Sequence, residues 1–244
     1  MKVALVCIAK NEDVYINEWI SYHRKLGFDH IFIYENDWVS GINLPYVTTI
    51  QFPGRSRQFA SYNDFINKHK QEFDYVAFFD CDEFLVLKKH QNVQDFLSEH
   101  GNPNGVAINW QVYGSNGKLK RDGNSIIKQF TRRQNGVNHH IKTILNLKSN
   151  AYMSIAHHPN IPTFDPKGIK VIGPFHPHGD DSIAILNHYY LMSFEDWEIK
   201  CKRGRVDVDE YTYVTQTWHE NVNTDNDVED LTAYNFMYGD ETNQ

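Results

Sequence analysis

Three acidic side chains, Asp80, Asp82 and Glu83, interrupt an apolar stretch of the sequence, 75-YVAFFDCDEFLVL-87. Carboxylates this close together repel one another unless water, a cation or hydrogen-bond donors surround them. In an extended backbone, residues two apart point to the same side, so Asp80 and Asp82 present converging oxygen atoms. Such hard ligands suit Mg²⁺ or Mn²⁺, with diphosphate oxygens completing the coordination shell. The stretch therefore predicts a metal site, and solvated acids at a strand end are the competing interpretation.

Two enzyme classes use an Asp-x-Asp motif after a strand. In glycosyltransferases of the GT-A fold the pair holds a metal ion on the diphosphate of a nucleotide-sugar. In phosphatases of the haloacid dehalogenase type, the first Asp is a nucleophile and the second an acid/base. The phosphatase pattern has Thr or Val at the position of Phe84, and its motif lies near the N-terminus rather than a third of the way along the chain. Residues 179-GDD-181 could mimic the late acidic motif of a phosphatase, so that alternative stays open.

Length and composition limit the class of protein. The chain has 244 residues, of which 41% are hydrophobic, so it can fold as one large domain or two small ones with a sizeable core. No apolar run reaches 18 residues, and we therefore expect no membrane span. The three cysteines are widely spaced, which argues against a disulfide framework and fits a reducing compartment.

The net charge of −7 is unevenly distributed along the chain. Residues 206–244 hold ten of the acidic side chains and no Lys or Arg, so residues 1–205 carry a net charge of +3. The body of the protein can therefore accept a phosphate ligand, whereas the acidic extension would repel nucleic acid. Because the sequence shows no basic stripe, we expect no DNA or RNA partner.

The elements that must position the acids alternate between strand and helix patterns. We predict strands over 2–9, 30–36, 46–52, 75–80 and 105–114, and helices after the cap Asn11 up to Gly27, over 57–69 and over 93–100. This β-α-β-β-α-β order predicts a mostly parallel α/β sheet with helices on both faces. Ligands bind outside the carboxyl ends of strands in such sheets, where the predicted strand 75–80 places the acids. A later helix should start at the cap Ser193, with Asp196 as its capping-box partner, and end at Gly204.

Several further stretches support one of the two enzyme classes. In chain order they are 9-AKNEDVYINEWISYHRKLGF-28, 33-IYEND-37, 58-QFASYNDF-65, 78-FFDCDEFL-85, 110-WQVYGSNG-117, His157 in a stretch that starts at Lys142, and 187-NHYYLMSFEDWEIKCKRG-204. In this order the sequence resembles glycosyltransferase family 92 and its bacterial relatives among family-2-like enzymes. The resemblance implies a GT-A domain over 1–205, with a nucleotide-sugar half up to about 110 and an acceptor half over 111–205, followed by an acidic extension over 206–244.

The resemblance also implies roles for individual residues. It makes Asp80 and Asp82 the metal-binding pair, with His188 as the third ligand of Mn²⁺ or Mg²⁺, since imidazole suits Mn²⁺ alongside carboxylates. Glu83 would fix the local geometry. The residues expected to bind the nucleotide-sugar are Lys10, Asn11, Glu12, Asn36, Asp37, Gln58, Asn63, Asp64, Lys200 and Arg203. The simpler alternatives are a buried, hydrogen-bonded His188 and a solvated basic face on the late helix.

Sugar transfer also needs an acceptor pocket and a base. We expect Trp110 to stack on the acceptor sugar and His157 to lie nearby, although core packing is the simpler role for Trp110. The resemblance implies inversion, for which the base is an Asp or Glu. The candidates are Asp122, Asp180 and Asp181, each of which could instead be a solvated loop acid.

The expected partners follow from the same resemblance. The donor would be a nucleotide-sugar, with UDP-sugars favoured, and the acceptor a glycan such as a surface polysaccharide or lipopolysaccharide. We expect a cytoplasmic enzyme that meets its acceptor at the inner membrane face by peripheral association. A non-catalytic carbohydrate-binding domain is the remaining alternative. A separate histidine metal centre is not favoured, because no H-E-x-x-H or H-x-x-E-H spacing occurs.

Overall fold

The computed structural model describes residues 1–203, 219, 223 and 225–239. Its strands are β1 (Val3–Ala9), β2 (His30–Glu35), β3 (Val47–Gln51), β4 (Tyr75–Phe78), β5 (Glu83–Leu87), β6 (Gly105–Val112), β7 (Arg132–Arg133), β8 (Ile141–Asn146), β9 (Thr163–Phe164), β10 (Lys170–Val171), β11 (Ala184–His188) and β12 (Val228–Glu229). Its helices are α1 (Ile16–Lys25), α2 (Gln58–His69), α3 (Val93–His100), α4 (Ile126–Gln129), α5 (Phe194–Arg203) and α6 (Thr232–Tyr238), with a short 3₁₀ turn over Leu147–Ser149.

One large sheet organises the molecule. Its strand order is β10-β9-β6-β8-β4-β1-β2-β3, with β11 beside β6 and β5 beside β11. The run β4-β1-β2-β3 is parallel, and β8 enters antiparallel between β4 and β6. This arrangement confirms the predicted α/β class with a mostly parallel central sheet. Because β1 and β4 are parallel neighbours, their carboxyl ends lie at the same edge of the sheet.

Both faces of the sheet are covered by helices, as predicted. Every residue of β1 is buried, and its side chains alternate between two apolar clusters. Val3, Leu5 and Cys7 join the cluster that contains residues of α1 and α3. The alternate residues join the cluster that contains residues of α2. Burying a large apolar side chain on either face contributes roughly 1.5–3 kcal/mol, which explains the unbroken apolar run in this strand.

The start of α1 differs from the prediction. Asn11 does not cap the helix: it lies in a left-handed conformation with φ +53°, and the N-cap position is Tyr15. The backbone N–H groups of Tyr15 and Ile16 both donate to the carbonyl of Glu12, so a turn precedes the helix. This turn keeps residues 10–15 as a loop at the carboxyl end of β1. The predicted stop at Gly27 is confirmed, since φ +102° there favours glycine.

Strand β5 was missed by the sequence analysis. The predicted strand 75–80 ends at Phe78, and a turn at the acids leads directly into β5. This strand pairs antiparallel with β11, about one hundred residues later in the chain, with His188 opposite Glu83. Local patterning could not reveal a partner that distant. The pairing brings the start of β5 and the end of β11 to the turn that carries Asp80, Asp82 and Glu83, which we call the carboxylate turn.

The late helix begins as predicted. The Asp196 N–H donates to Ser193 Oγ at 3.1 Å, and the Ser193 N–H donates to Asp196 Oδ2 at 3.3 Å, which is a reciprocal capping box with Asp in the Glu position. The predicted stop at Gly204 lies outside the described residues. Within the described part of the chain, no helix combines the length and apolar character that a membrane crossing needs.

The described part of the acidic extension packs against the body. Strand β12 pairs with β7, and the guanidinium of Arg133 donates to Asp230 at 2.7 Å. In α6, Ala233 is buried in the cluster on the α1 face of the sheet. The division of the chain at residue 205 stays a prediction.

Candidate active site

Asp80 lies just beyond the carboxyl end of β4 and is held by donors from two other elements. Its Oδ1 accepts a hydrogen bond from Gln58 Nε2 at 2.7 Å, at the first residue of α2. Its Oδ2 accepts from Lys142 Nζ at 2.8 Å, from β8. Lys142 is fully buried in β8, where a charge is tolerated only if it is paired. The ion pair therefore fixes the Asp80 carboxylate against the sheet.

Glu83 shapes the turn between the two strands, as the resemblance implied. Its Oε2 accepts a hydrogen bond from the Asp80 N–H at 2.7 Å, and Lys142 Nζ lies 3.6 Å away. Its Oε1 is buried and has no hydrogen-bond partner among the described residues. Burial raises the pKa of Glu83 well above its usual value, although Lys142 opposes this. Burial lowers the pKa of Lys142, but the surrounding carboxylates outweigh it and hold that pKa above its usual value.

Asp82 has different partners. Its Oδ2 accepts a hydrogen bond from Lys200 Nζ at 2.5 Å, and Lys200 also donates to the backbone carbonyl of Tyr190. Its Oδ1 lies 3.6 Å from Nε2 of His188, the last residue of β11. Burial raises the pKa of Asp82, but the charges of Lys200 and His188 outweigh it and lower the pKa to about 2. Asp82 is therefore ionised at neutral pH.

His188 is buried beside an indole ring. The centroids of the His188 and Trp110 rings are 4.2 Å apart. Its Nδ1 is buried and, within the described residues, makes no hydrogen bond. Burial lowers the pKa of His188 to about 4, although Asp82 raises it, so the ring is neutral at pH 7. A neutral imidazole keeps a lone pair available to a metal ion.

The chemistry of Asp80, Asp82 and His188 fits a divalent cation. Two carboxylates and an imidazole are a donor set that suits Mn²⁺, and the carboxylates alone suit Mg²⁺. The ligand atoms of the three residues do not all lie within 4.8 Å of one another. Lys142 and Lys200 instead neutralise one oxygen atom on each carboxylate. An ion would thus enter a site whose negative charge is already partly balanced.

The loop after β1 joins this site through α5. The Arg203 guanidinium lies 2.6 Å from Glu12 Oε1 and donates to the Lys10 carbonyl at 2.8 Å. Lys10 Nζ lies 3.8 Å from Asp37, which follows β2. Burial raises the pKa of Glu12, although the charge of Arg203 opposes it. A cavity beside this loop is lined in part by Asn11, Glu12, Tyr15, Arg121, Lys200 and Arg203.

Three of the predicted donor-binding residues make hydrogen bonds within the protein. Asn36 donates to the backbone carbonyl of Phe52 at 3.0 Å, which fixes the loop after β3. Asn63 exchanges two hydrogen bonds with the backbone of Met153. Asp64 accepts a hydrogen bond from a tyrosine hydroxyl at 3.0 Å. The three side chains thus have hydrogen-bond partners within the protein. A role for them in donor binding stays a prediction.

The predicted acceptor residues lie together beside His188. The indole of Trp110 stacks on His140 with centroids 4.9 Å apart, and it contacts His157 edge-on at 5.2 Å. The His157 Nδ1 is 3.0 Å from the Ile141 carbonyl. Burial lowers the pKa of His157 to about 4. Trp110 is therefore enclosed by three imidazole rings next to the carboxylate turn.

The three candidate bases are not gathered at this site. Asp181 lies beside Lys88, at the opposite end of the β5–β11 ladder from Asp82. Asp180 contacts Lys167. The side chain of Asp122 is 82% exposed and lies 3.5 Å from a lysine. The assignment of the base stays a prediction.

Sequence reasoning did not single out Lys142 as part of the site. Its signal was present, because a lysine lies among the β-branched and apolar residues of 141-IKTILN-146. A lysine in a buried strand requires a buried acid, and the acids of residues 80–83 were already known. The strand pairing of β4 with β8 is what connects the two observations.

The fold and site define an α/β protein with a charge-balanced carboxylate turn at the carboxyl edge of its sheet. The model of glycosyltransferase family 92 matches residues 3–229, and the chain belongs to this family. The match continues past residue 205. A family 92 protein of Arabidopsis thaliana is 26% identical over 236 residues, covering 87% of this chain and 38% of the relative. A relative from Ricinus communis is 27% identical over 237 residues, covering 87% and 38%. The chain thus spans little more than a third of the length of these relatives.

Solved structures show more distant likenesses. The Staphylococcus aureus protein TarS, residues 1–349 in complex with UDP-GlcNAc, is 17% identical with a TM-score of 0.36 over 50% of this chain and 37% of that one. HddC from Yersinia pseudotuberculosis is 11% identical with a TM-score of 0.35 over 84% of each chain.

Proposed function

We propose that this chain forms the catalytic domain of a metal-dependent, inverting glycosyltransferase. It would move a sugar from a nucleotide-sugar, with a UDP-sugar favoured, to a glycan acceptor such as a surface polysaccharide or lipopolysaccharide. The observation that carries the proposal is the position of Asp82, which lies between the imidazole of His188 and the ammonium group of Lys200 at the carboxyl end of the sheet. Membership of family 92 supports transfer over the phosphatase alternative.

Asp80, Asp82 and His188 would hold the divalent cation. When bound, the ion would supply Lewis-acid stabilisation to the leaving diphosphate. Asp82 suits this role because it is ionised at neutral pH, and His188 because it is neutral. Lys142 would keep the Asp80 carboxylate in place by donating to it, and Glu83 would keep the Asp80 backbone in place by accepting from its N–H, both from buried positions.

Two cations on α5 would bind the diphosphate. Lys200 and Arg203 both line the cavity beside the loop after β1. Charge on the diphosphate grows as the bond from the anomeric carbon to the leaving phosphate oxygen breaks, so nearby cations stabilise that stage of the reaction more than the ground state. The loop itself, with Asn11 and Glu12 on the same cavity, would contact the nucleoside.

On the acceptor side, a hydroxyl oxygen attacks the anomeric carbon while a carboxylate accepts the hydroxyl proton. Asp122 is the favoured base of the three candidates, because the preceding residue, Arg121, lines the same cavity as Lys200. The side of Trp110 that faces His157 and His188 lies next to the proposed metal ligands. Because the rings of His140, His157 and His188 already pack on Trp110, the acceptor sugar would bind beside this group of rings.

The first test is thermal unfolding with UDP, GDP or CMP, each with and without Mn²⁺. One nucleotide should stabilise the protein only when Mn²⁺ is present. At a hundredfold excess over Kd this contributes about 2.7 kcal/mol, which raises Tm by roughly 5–10 °C for a chain of this size. If none of the three nucleotides shifts Tm, the proposal is wrong. A donor screen scored by nucleotide release would then identify the sugar.

Variants separate the metal site from a general effect on folding. Asp82→Asn and His188→Gln should abolish the Mn²⁺-dependent shift and lower sugar transfer at least about 100-fold, as loss of an electrostatic group at the reacting centre does. Glu198→Gln, on the partly exposed side of α5, is the matched control and should behave as the wild type. Phosphate release from a small phosphomonoester that Asp80→Asn abolishes would favour the phosphatase alternative instead.

A further inference from the structure

A second group of metal-ligating side chains lies outside the proposed active site. His90 follows β5, and Glu99 and His100 end α3. Their ligand atoms all lie within 4.8 Å of one another. His90 Nε2 is 2.9 Å from Glu99 Oε2, and His100 Nε2 is 3.5 Å from Glu99 Oε1. One carboxylate therefore faces two imidazole rings, one through each oxygen atom. We refer to these three residues as the His90–Glu99–His100 cluster.

The two rings of the cluster are buried and incompletely partnered. The side chain of His90 is 7% exposed and that of His100 is 13% exposed. Each ring has one buried nitrogen that makes no hydrogen bond to any described residue, Nδ1 in His90 and Nε2 in His100. A buried polar atom without a hydrogen-bond partner destabilises the fold unless a ligand satisfies it. At His100 the unpartnered atom is the one that faces the carboxylate.

The spacing of the donor atoms matches a small tetrahedral ion. Zinc binds imidazole nitrogen and carboxylate oxygen at about 2.0–2.2 Å, so two ligand atoms on one tetrahedral ion are roughly 3.3 Å apart. The shortest nitrogen–oxygen separations are near that value, 2.9 Å from His90 to Oε2 of Glu99 and 3.5 Å from His100 to Oε1, and one ligand atom from each residue can be taken so that all three lie within 4.8 Å. Two imidazoles and one carboxylate are also a common zinc ligand set. We propose that the His90–Glu99–His100 cluster binds one Zn²⁺ ion, with water as the fourth ligand.

The cluster has an open side through which an ion and its water can enter. The side chain of Glu99 is 68% exposed, while the two imidazoles lie beneath it. The site would therefore be loaded from solvent without unfolding of α3.

The position of the cluster indicates a structural role. Strand β5 runs from Glu83, at the carboxylate turn, to Leu87, and the cluster follows at the far end. Both imidazoles pack on the buried ring of Phe96, with centroid distances of 5.7 Å for His90 and 5.5 Å for His100. A bound ion would thus join the end of β5 to the last turn of α3. It would stabilise the fold without contact with the donor.

The test is Zn²⁺ titration of the complete chain by calorimetry, after removal of metal with a chelator. We expect one Zn²⁺ to bind at this cluster. Glu99→Gln and His100→Gln should weaken that binding at least tenfold, and both should remove the rise in Tm that Zn²⁺ produces. Glu99→Gln changes an exposed side chain, so a folded variant is available even if a histidine variant is unstable. With Co²⁺ in place of Zn²⁺, the visible absorption of a four-coordinate ion should appear in the wild type and disappear in both variants.

Two control variants decide where the ion binds. His178→Gln replaces an exposed histidine elsewhere on the surface and should leave the titration unchanged. Asp82→Asn should also leave this Zn²⁺ in place, because the cluster shares no residue with the carboxylate turn. The inference is overturned if Glu99→Gln and His100→Gln bind Zn²⁺ as the wild type does. It is equally overturned if Asp82→Asn alone abolishes binding.

Discussion

Buried ionisable groups have different surroundings in the carboxylate turn and in the aromatic core around His23. In the turn, Asp80 and Asp82 each pair with a lysine from a distant element. In the core, His23 is fully buried among the rings of Trp19, Tyr22, Phe28, Phe79 and Phe84, with centroids 4.8–6.0 Å away. Burial lowers the pKa of His23 to about 3, so this ring stays neutral.

The same short segment supplies both regions. Phe79 and Phe84 point into the aromatic core, while the acids at positions 80, 82 and 83 face the ion pairs. The two regions differ in whether a buried ionisable group has a partner of opposite charge. His23 satisfies both ring nitrogens with backbone groups, those of Trp19 and Leu85, and needs no counter-ion. The lysines at the turn are costly to bury, and the proposed donor site would explain their presence.

The largest effect should come from Lys142→Met. This change leaves Asp80 and Glu83 without their buried cation, and removal of one partner of a buried ion pair costs about 3–5 kcal/mol. The free energy of unfolding, measured in urea, should fall by that amount. Lys148→Met is the control, because its exposed pair with Asp74 should contribute only about 0–1 kcal/mol. Equal effects of the two changes would mean that Lys142 does not balance the buried acids.

An intermediate effect should appear on acidification. The pKa of His23 is about 3 in the folded chain and about 6.5 in the unfolded chain, so below pH 6.5 the unfolded chain binds more protons. The stability that His23 contributes is complete above pH 6.5 and is lost as the pH falls. Between pH 7 and pH 5 the loss should be about 2 kcal/mol.

The variant His23→Gln isolates this contribution. Whatever its effect at pH 7, the variant should lose about 2 kcal/mol less than the wild type between pH 7 and pH 5 in urea unfolding. Burial also lowers the pKa values of His30, His140, His157, His158 and His188, which should contribute to the slope in both proteins. An unchanged slope would show that His23 accepts a proton without unfolding.

The smallest effect on stability should come from Lys200→Met. The Lys200–Asp82 pair is partly exposed, so its loss should cost about 1–2 kcal/mol, less than that of Lys142. Nucleotide binding with Mn²⁺ should weaken more than stability does, because Lys200 lines the proposed donor cavity. Lys202→Met, on the exposed side of the same helix, should change neither quantity. If Lys200→Met lost more stability than Lys142→Met, the Lys200–Asp82 pair would be the more important of the two for the fold.

Much of the fold was predictable because its signals are local. The apolar run of β1, the stop at Gly27 and the capping box of Ser193 with Asp196 depend on near neighbours in the sequence. The start of α1 was mispredicted because Asn11 adopts a left-handed turn that sequence cannot distinguish from a cap. Strand β5 was missed because its pairing partner, β11, is distant in the chain.

The sequence by itself determined the α/β class, the two carboxylates on one strand end and the family to which the chain belongs. Only the tertiary structure decided that Lys142 and Lys200 pair with those carboxylates and that His188 lies against Asp82. The physical reason is the distance along the chain over which each kind of interaction acts. Periodicity, caps and turns act over a few residues, whereas the cost of burying a charge is offset by whichever opposite charge the strand order brings near.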